Sequence, residues 1–399
     1  MSDHQLTSDR TMSFGQLLKK NVRSYSMFIM LALIFIVFSV LTNGINFSAR
    51  NIANLFMQNT YILILASGMV FVIITGNIDL SVGSICAFTG AIAAMLYNTG
   101  MGLMPTIILT MIVGAIIGVW QGFWIAFMKV PSFIVTLSSM LVFRGLTYII
   151  TNVTPISLRD AGFRQIATGF VSSESLMVGD VHLLPWIVGA AVAIVLVLAS
   201  ISSRQSKKQK GFTLQPIAAF ILKNVFVVAL IGLLAWKFGD FRGLPIVGIV
   251  LVIVITVLTF VTNRTVFGRY VYAVGGNAAA AKLSGINAEQ VVFFVFVLIG
   301  SLAGLAGLVF AGYMNSALPQ AGDLFELDAI ASVFIGGASM SGGIGTVIGA
   351  ITGGLVMGVI NNGMSLMNIG VDWQYVVKGL VLLLAVFYDI YTRRKAGLA

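Results

Sequence analysis

The sequence predicts an all-α polytopic membrane protein with about twelve transmembrane helices, and three observations carry that prediction. Of 399 residues, 58% are hydrophobic and only 9% charged, against about a quarter charged in a water-soluble domain. The apolar residues gather into long uncharged runs. A helix needs about 20 mostly apolar residues to cross a bilayer, so a chain of this length holds roughly twelve crossings with short connections. The basic residues fall at alternate junctions between runs, the pattern that sets orientation in a membrane. Disordered chains, disulfide scaffolds and ordinary cytosolic enzymes are excluded by the same composition.

In chain order the expected spans are 25–42, 53–75, 82–98, 105–128 and 132–150, then 182–203, 216–236 and 244–262, then 291–312, 327–340, 344–362 and 373–391. The tenth is short and glycine-rich, and reads as a half-helix or re-entrant segment as readily as a full crossing. Residues 1–24 form a polar tail with no small-residue cleavage motif after the first run, so the first span is expected to be a retained signal-anchor. Residues 392–399 form the second tail, and an even number of crossings puts both tails on one side. The transmembrane domain is then 25–391, and its longest inner loop is 263–290.

Charge tests this count independently. With the N-terminus inside, the inner segments hold Arg10, Lys19, Lys20, Arg23, Lys129, Arg204, Lys207, Lys208, Lys210, Arg264, Arg269, Lys282, Arg393, Arg394 and Lys395. The outer segments hold only Arg50, Arg159, Arg164, Lys237 and Arg242. Eight of the 13 acids, Glu326 and Asp328 among them, are assigned to the outer side. Miscounting one helix would invert every later loop and erase the bias. The net charge of +10 is therefore explained by orientation in a membrane, and no nucleic-acid partner is expected.

Ionisable groups are sparse. Cys86 is the single cysteine, and His4 and His182 are the only imidazoles, so a disulfide, a metal centre and a catalytic triad all lack their parts. Glycines recur at helical spacing: Gly114, Gly118 and Gly122 in the fourth span, Gly300 and Gly304 in the ninth, and Gly345, Gly349 and Gly353 in the eleventh. Small residues four apart share a face and let helix backbones approach, so these stripes are expected at packing seams; helix sliding is the rival reading. The break Gly76–Gly83 admits two readings: Asp79 or Ser81 caps the third span, or the segment lines a permeation path. Lys223 and Lys378 are expected to snorkel to the interface, and Arg144 to pair with Asp160 or with a carbonyl.

Loop 263–290 contains Gly276–Leu283, a near miss of a phosphate-binding loop. Ala281 stands where that motif needs glycine, and Leu283 where it needs a hydroxyl, so no ATP chemistry is expected there. The alanine-rich run Asn277 to Leu283 instead predicts a short surface helix. It would either present Ala280, Leu283 and Ile286 to a partner's groove or be an ordinary solvated loop helix.

At this point the motifs converge. Gly76–Gly83 (GNIDLSVG), Val130–Leu137 (VPSFIVTL), Gly268–Ile286 (GRYVYAVGGNAAAAKLSGI), Glu326–Gly345 (ELDAIASVFIGGASMSGGIG), Asn361–Met364 and Trp373–Gly379 stand in order from about residue 50 to 390. With them the chain resembles the permeases of bacterial ATP-binding-cassette sugar importers, in the ribose, xylose and multiple-monosaccharide group, and most of all the xylose and multiple-sugar types. Residues 205–242 lengthen it beyond the ten-span ribose pattern.

The resemblance implies an importer permease bundle in the bacterial inner membrane with both termini cytoplasmic. It implies a homodimeric pore, a separate cytoplasmic ATPase that binds the ATP, a periplasmic sugar-binding protein, and no cofactor or metal on this chain. It makes Gly275, Gly276, Asn277, Ala280, Ala281, Lys282, Leu283, Ser284, Gly285 and Ile286 the ATPase-coupling segment. The candidate translocation path is Asn77, Asp79, Ser81, Phe133, Thr136, Asn361 and Asn362. One departure stands out: where members of this family often carry an acidic residue shortly after the Gly-Gly-Asn, this chain has Ala278–Ala281, so no salt bridge to the ATPase is expected from that position. The rival reading is an ion-coupled secondary sugar transporter of twelve spans, with the basic loop Arg204–Lys210 between two six-helix halves.

Overall fold

The computed structural model describes residues 14–172 and 176–395, and they are almost wholly helical. The helices are α1 (Phe14–Leu41), α2 (Ala49–Ile74), α3 (Val82–Asn98), α4 (Leu103–Gly122), α5 (Ser132–Thr151), α6 (Ala161–Thr168), α7 (Leu184–Gln209), α8 (Ile217–Gly239), α9 (Ile246–Arg264), α10 (Val266–Gly276), α11 (Ala278–Leu283), α12 (Ala288–Met314), α13 (Phe325–Ile335), α14 (Val347–Leu366) and α15 (Val371–Lys395). Among the described residues nine helices are long and apolar enough to cross a membrane, and Met27–Leu41 and Val82–Asn98 are shorter apolar helices. The fold is that of an all-α polytopic membrane protein. Pro131, Pro216 and Pro245 stand immediately before α5, α8 and α9, where a missing N–H costs no helical hydrogen bond.

Several boundaries differ from the sequence reading. α1 starts at Phe14, so residues 14–24 of the expected tail are helical, while residues 1–13 lie outside the described residues. α4, by contrast, runs on through a π-helical turn at Phe123–Phe127 and so fills the expected span 105–128. α14 starts at Val347 and leaves Gly345 in the preceding turn.

The chain divides into two compact units. The smaller contains α7 and α8, packed as a hairpin whose other faces expose Ile187, Val192, Ile194, Leu222, Val225 and Phe226. Apolar side chains exposed around a long helix suit contact with lipid tails rather than water. Inside this unit Arg204 donates to the Gln215 carbonyl at 2.9 Å and lies 4.9 Å from the centre of the Phe220 ring.

The larger unit is organised around α2 and α12, both largely enclosed by other helices. α12 packs on α4 and α3. The closest seam joins two glycine stripes: a Cβ built on Gly114 would strike the Gly300 carbonyl, and one on Gly118 the Phe296 carbonyl. Backbone contact of this kind maximises dispersion where lipid removes the hydrophobic drive. At one end of the unit Lys129 pairs with Glu289 at 2.9 Å, near the start of α12. At the other, Asn98 donates to the Ser157 carbonyl at 2.9 Å and Ile156–Ser157 pairs antiparallel with Ser316–Ala317.

The run expected as the tenth span holds only a short helix. α13 has 11 residues, about 16 Å at 1.5 Å per residue, half the hydrocarbon thickness of about 30 Å. Residues 315–324, just before it, are irregular apart from the short strand Ser316–Ala317. They leave the Ser316–Ala317 pairing, accept a hydrogen bond from the Arg144 guanidinium at the Ala321 carbonyl, and bring Gly322 against Gly83 at the start of α3. Past α13, the turn 336–346 reaches the opposite end, where the Gly343 amide donates to the Ile74 carbonyl at 2.8 Å.

Two assignments of charge are corrected by this segment. Glu326 and Asp328, counted above as outer-loop acids, are buried in the first turn of α13. Lys378 does not snorkel: its ammonium meets the Asp328 carboxylate at 2.8 Å, with side-chain exposures of 16% and 6%. Within reach of a buried carboxylate, pairing outweighs the entropy of extending to the interface. Lys223 is exposed on α8, and Arg144 takes the carbonyl partner, not Asp160, whose carboxylate accepts from the Tyr97 hydroxyl at 3.0 Å.

Candidate functional site

Two regions collect the residues singled out by the sequence. The first is the loop between α9 and α12. Thr265 caps α10 by accepting from the Gly268 amide at 3.2 Å. A single residue, Asn277, links α10 to α11 and caps the latter through its side-chain oxygen, which accepts from the Ala280 amide at 3.0 Å. Gly285, at φ +82°, ends the segment, and the Ile286 amide closes back on the Ala281 carbonyl at 3.0 Å.

Burial divides this loop cleanly. Ala281 is buried at 5% and anchors α11 to the body, with Ile286 half-buried. Gly276, Asn277, Ala280, Lys282, Leu283, Ser284 and Gly285 are exposed, and Gly275 is half-buried. Leu283 is 91% exposed, an isolated branched aliphatic held into solvent by a well-capped helix. α11 thus offers a small, rigid, mostly uncharged knob.

The second region is the break between α2 and α3. Asn77 donates to Thr75 at its carbonyl and hydroxyl oxygens, 3.2 and 3.1 Å away. The Asp79 carboxylate accepts from the Ser81 amide at 2.8 Å and the Ser81 hydroxyl at 2.6 Å. It therefore fixes the turn at Ser81. The capping role is corrected: Ser81 stands at the N-cap of α3, but its side chain bonds none of the helix donors. Gln121 of α4 donates to the Ser81 hydroxyl at 2.6 Å. Thr136 of α5 donates to the Ile78 carbonyl at 3.4 Å. Asp79, Ser81, Gln121 and Thr136 are all fully enclosed.

The remaining path candidates lie apart. Asn362, on α14, donates to Gln58 of α2 at 3.2 Å, and Asn361 beside it is half-buried. Phe133 is 55% exposed on the outside of α5. The structure brings Asn77, Asp79, Ser81 and Thr136 together; the Thr136 hydroxyl also lies 3.4 Å from the Phe133 carbonyl, although the Phe133 ring itself is exposed, while Asn361 and Asn362 stand on α14. Of the other glycines, Gly122 lies against Phe293, Gly349 and Gly353 against Gly336 and Ser332 of the α13 turn, and Gly345 against Ile74, Val70 and Ala338.

Sequence reasoning missed Gln121 and the Asp328–Lys378 pair. A lone amide in an apolar run, and two opposite charges in separate runs, were the available signals. The Tyr272 hydroxyl, which donates to the Gly345 carbonyl at 2.7 Å, was also missed. At the opposite end of the unit, a crevice of about 320 Å³ is lined in part by Tyr97, Asn98, Arg159 and Asp160.

Comparison with known proteins adds to this geometry. Residues 51–386 match the family described as branched-chain amino acid transport system / permease component. The chain is 38% identical over 397 residues to the xylose transport system permease protein of Escherichia coli, covering 99% of this chain and 98% of that one. With the xylose transport system permease protein of Haemophilus influenzae it shares 41% identity over 377 residues, 94% of this chain and 98% of the relative. The ribose import permease protein of Escherichia coli is 33% identical over 365 residues, 91% and 92% of the two chains. No solved structure matches.

Proposed function

The chain belongs to the branched-chain amino acid transport system / permease component family and is the permease subunit, not an enzyme, of an ATP-binding-cassette sugar importer; from that premise we propose that its cargo is xylose or another monosaccharide. The observation that carries the sugar class is likeness along nearly the whole chain to xylose permeases. The partners of such a subunit are a separate ATPase and a periplasmic sugar-binding protein, and ATP is held by the former.

In this reading two identical copies form the pore in the bacterial inner membrane. The end bearing Lys129, Arg264 and Lys282 faces the cytoplasm with both termini, supported by the distribution of basic residues. The segment Gly275–Ile286 docks in a groove of the ATPase. Leu283 and Ala280 fill that groove, Ala281 holds the helix in place, and Lys282 rims it; the exposure of Leu283 supports this assignment. The α2–α3 break with Asn77, Asp79, Ser81 and Thr136 is the inner closure of the path, and Asn361 and Asn362 belong to a more distant stretch. Conduction then requires a second state, favoured when the ATPase and the binding protein engage the two ends.

Vesicles containing the chain with its ATPase and binding protein test the reading. Labelled xylose is expected to accumulate with ATP at the ATPase face and to go on accumulating when an uncoupler collapses ion gradients. Accumulation that stops with the gradient at constant ATP, or that proceeds with this chain alone, overturns it.

A further inference from the structure

Between the docking helix and the short helix α13 lies a contact made of backbone. α10 ends in Gly275 and Gly276, one residue before α11 begins. A Cβ on Gly275 would strike the Ile74 carbonyl and would stand 2.8 Å from the Gly343 nitrogen, itself hydrogen-bonded to Ile74 at 2.8 Å. Gly342 and Gly343 hold φ of +82° and +72°, a left-handed backbone that glycine adopts without strain. A Cβ on Gly343 would lie 2.9 Å from the Gly276 Cα. One turn back along α10, the Tyr272 hydroxyl donates to the Gly345 carbonyl at 2.7 Å, and burial pushes this phenol up, so it stays a donor.

The far side of the same turn is held as well. Asp389 of α15 accepts from the Ser339 hydroxyl at 3.1 Å and the Met340 amide at 3.3 Å. The turn follows directly on α13, whose Asp328 meets Lys378 of α15 at 2.8 Å. α11, α10, the turn and α13 are therefore four rigid pieces in series. The α10–turn contact has almost no side chain in it to absorb a displacement. Packed interiors resist compression and carry strain along rigid elements.

We propose that the contact of Tyr272, Gly275 and Gly276 with the turn 342–345 is the joint through which the ATPase moves the half-helix α13, these residues acting as positioning residues for transport. The proposal rests on the assignment of α11 as the docking helix. When the ATPase shifts α11, α10 shifts with it through Asn277. The turn follows because its backbone is wedged against Gly275 and tied to Tyr272. α13 then tilts about its buried N-terminal turn.

The test uses the whole complex in vesicles, with xylose as the probe, and reads sugar moved per ATP hydrolysed. Gly275→Ala is expected to lower that ratio by at least about fivefold, the lower bound of usual coupling energies between sites. Tyr272→Phe, which removes one hydrogen bond and leaves the ring, is expected to lower it about threefold. A purely structural role would reduce transport and hydrolysis together and leave the ratio unchanged, and that result overturns the proposal. If Gly275→Ala does not fold, Tyr272→Phe decides alone. Leu283→Asp separates the two readings: it is expected to release the ATPase from a folded permease. An ATPase that stays bound to Leu283→Asp refutes the docking assignment, whereas a bound ATPase with an unchanged ratio in Tyr272→Phe refutes the joint alone.

Discussion

Lys378 and Asp328 show what a single pair decides in a lipid-embedded chain. Each charge alone in the bundle would be a burden of about 3 kcal/mol on insertion scales, and each is tolerated because the other stands 2.8 Å away. Removing one partner of a buried pair costs about 3–5 kcal/mol, because the survivor is left uncompensated. Lys378→Met is therefore expected to lower the melting temperature of the purified permease clearly, and Lys378→Met with Asp328→Leu to recover most of the loss. A single variant that melts like the parent would show that the pair contributes nothing. The sequence displays both residues as charges in apolar surroundings, yet they are 50 positions apart on different helices, and no local pattern pairs them. Arg144 is the contrasting case. A carbonyl partner was among its expected ones, and the structure supplies Ala321.

At the scale of elements, the long helices followed from apolar runs and the α4–α12 contact from glycine, whereas α6 and α10 fall in stretches that the sequence reading left as connections. α4 and α12 touch through Gly114, Gly118, Gly300 and Gly304, so a side chain there must separate two backbones. Gly300→Leu is expected to abolish recovery of monodisperse protein, since overpacking alone costs about 1–3 kcal/mol where neighbours can yield, and here the neighbours are main chain. Gly232→Leu on α8, with no atom near its Cβ position, is expected to be recovered like the parent. Equal recovery of the two variants would remove the seam from the account. The half-helix α13 was legible as an anomaly, a short glycine-rich run, but the course of residues 315–324 before it was not. That stretch carries no periodicity, and its conformation depends on Arg144, Gly83 and the Ile156–Ser157 pairing.

At the scale of the molecule the prediction concerns sidedness. Cys86 is 1% exposed and offers no accessible thiol, so the unmodified chain is a silent background for labelling. Lys207→Cys at the end of α7 and Asp240→Cys after α8 are both exposed positions. A charged thiol reagent outside intact cells, with the outer membrane opened, is expected to label Asp240→Cys at once and Lys207→Cys only after the inner membrane is breached. The reverse order would invert the orientation proposed here and place α11 outside, away from any cytosolic ATPase.

What the sequence by itself determined was the solvent of the protein, the presence and order of its long apolar helices, and its family. Hydropathy, run length and short motifs are properties of neighbouring residues, readable without a fold. The tertiary structure alone decided which polar groups meet: Asp328 with Lys378, Ser81 with Gln121, Tyr272 with Gly345. Each of those pairs joins residues from separate helices or turns, and which helix faces which is set by packing over the whole bundle rather than by any stretch of chain.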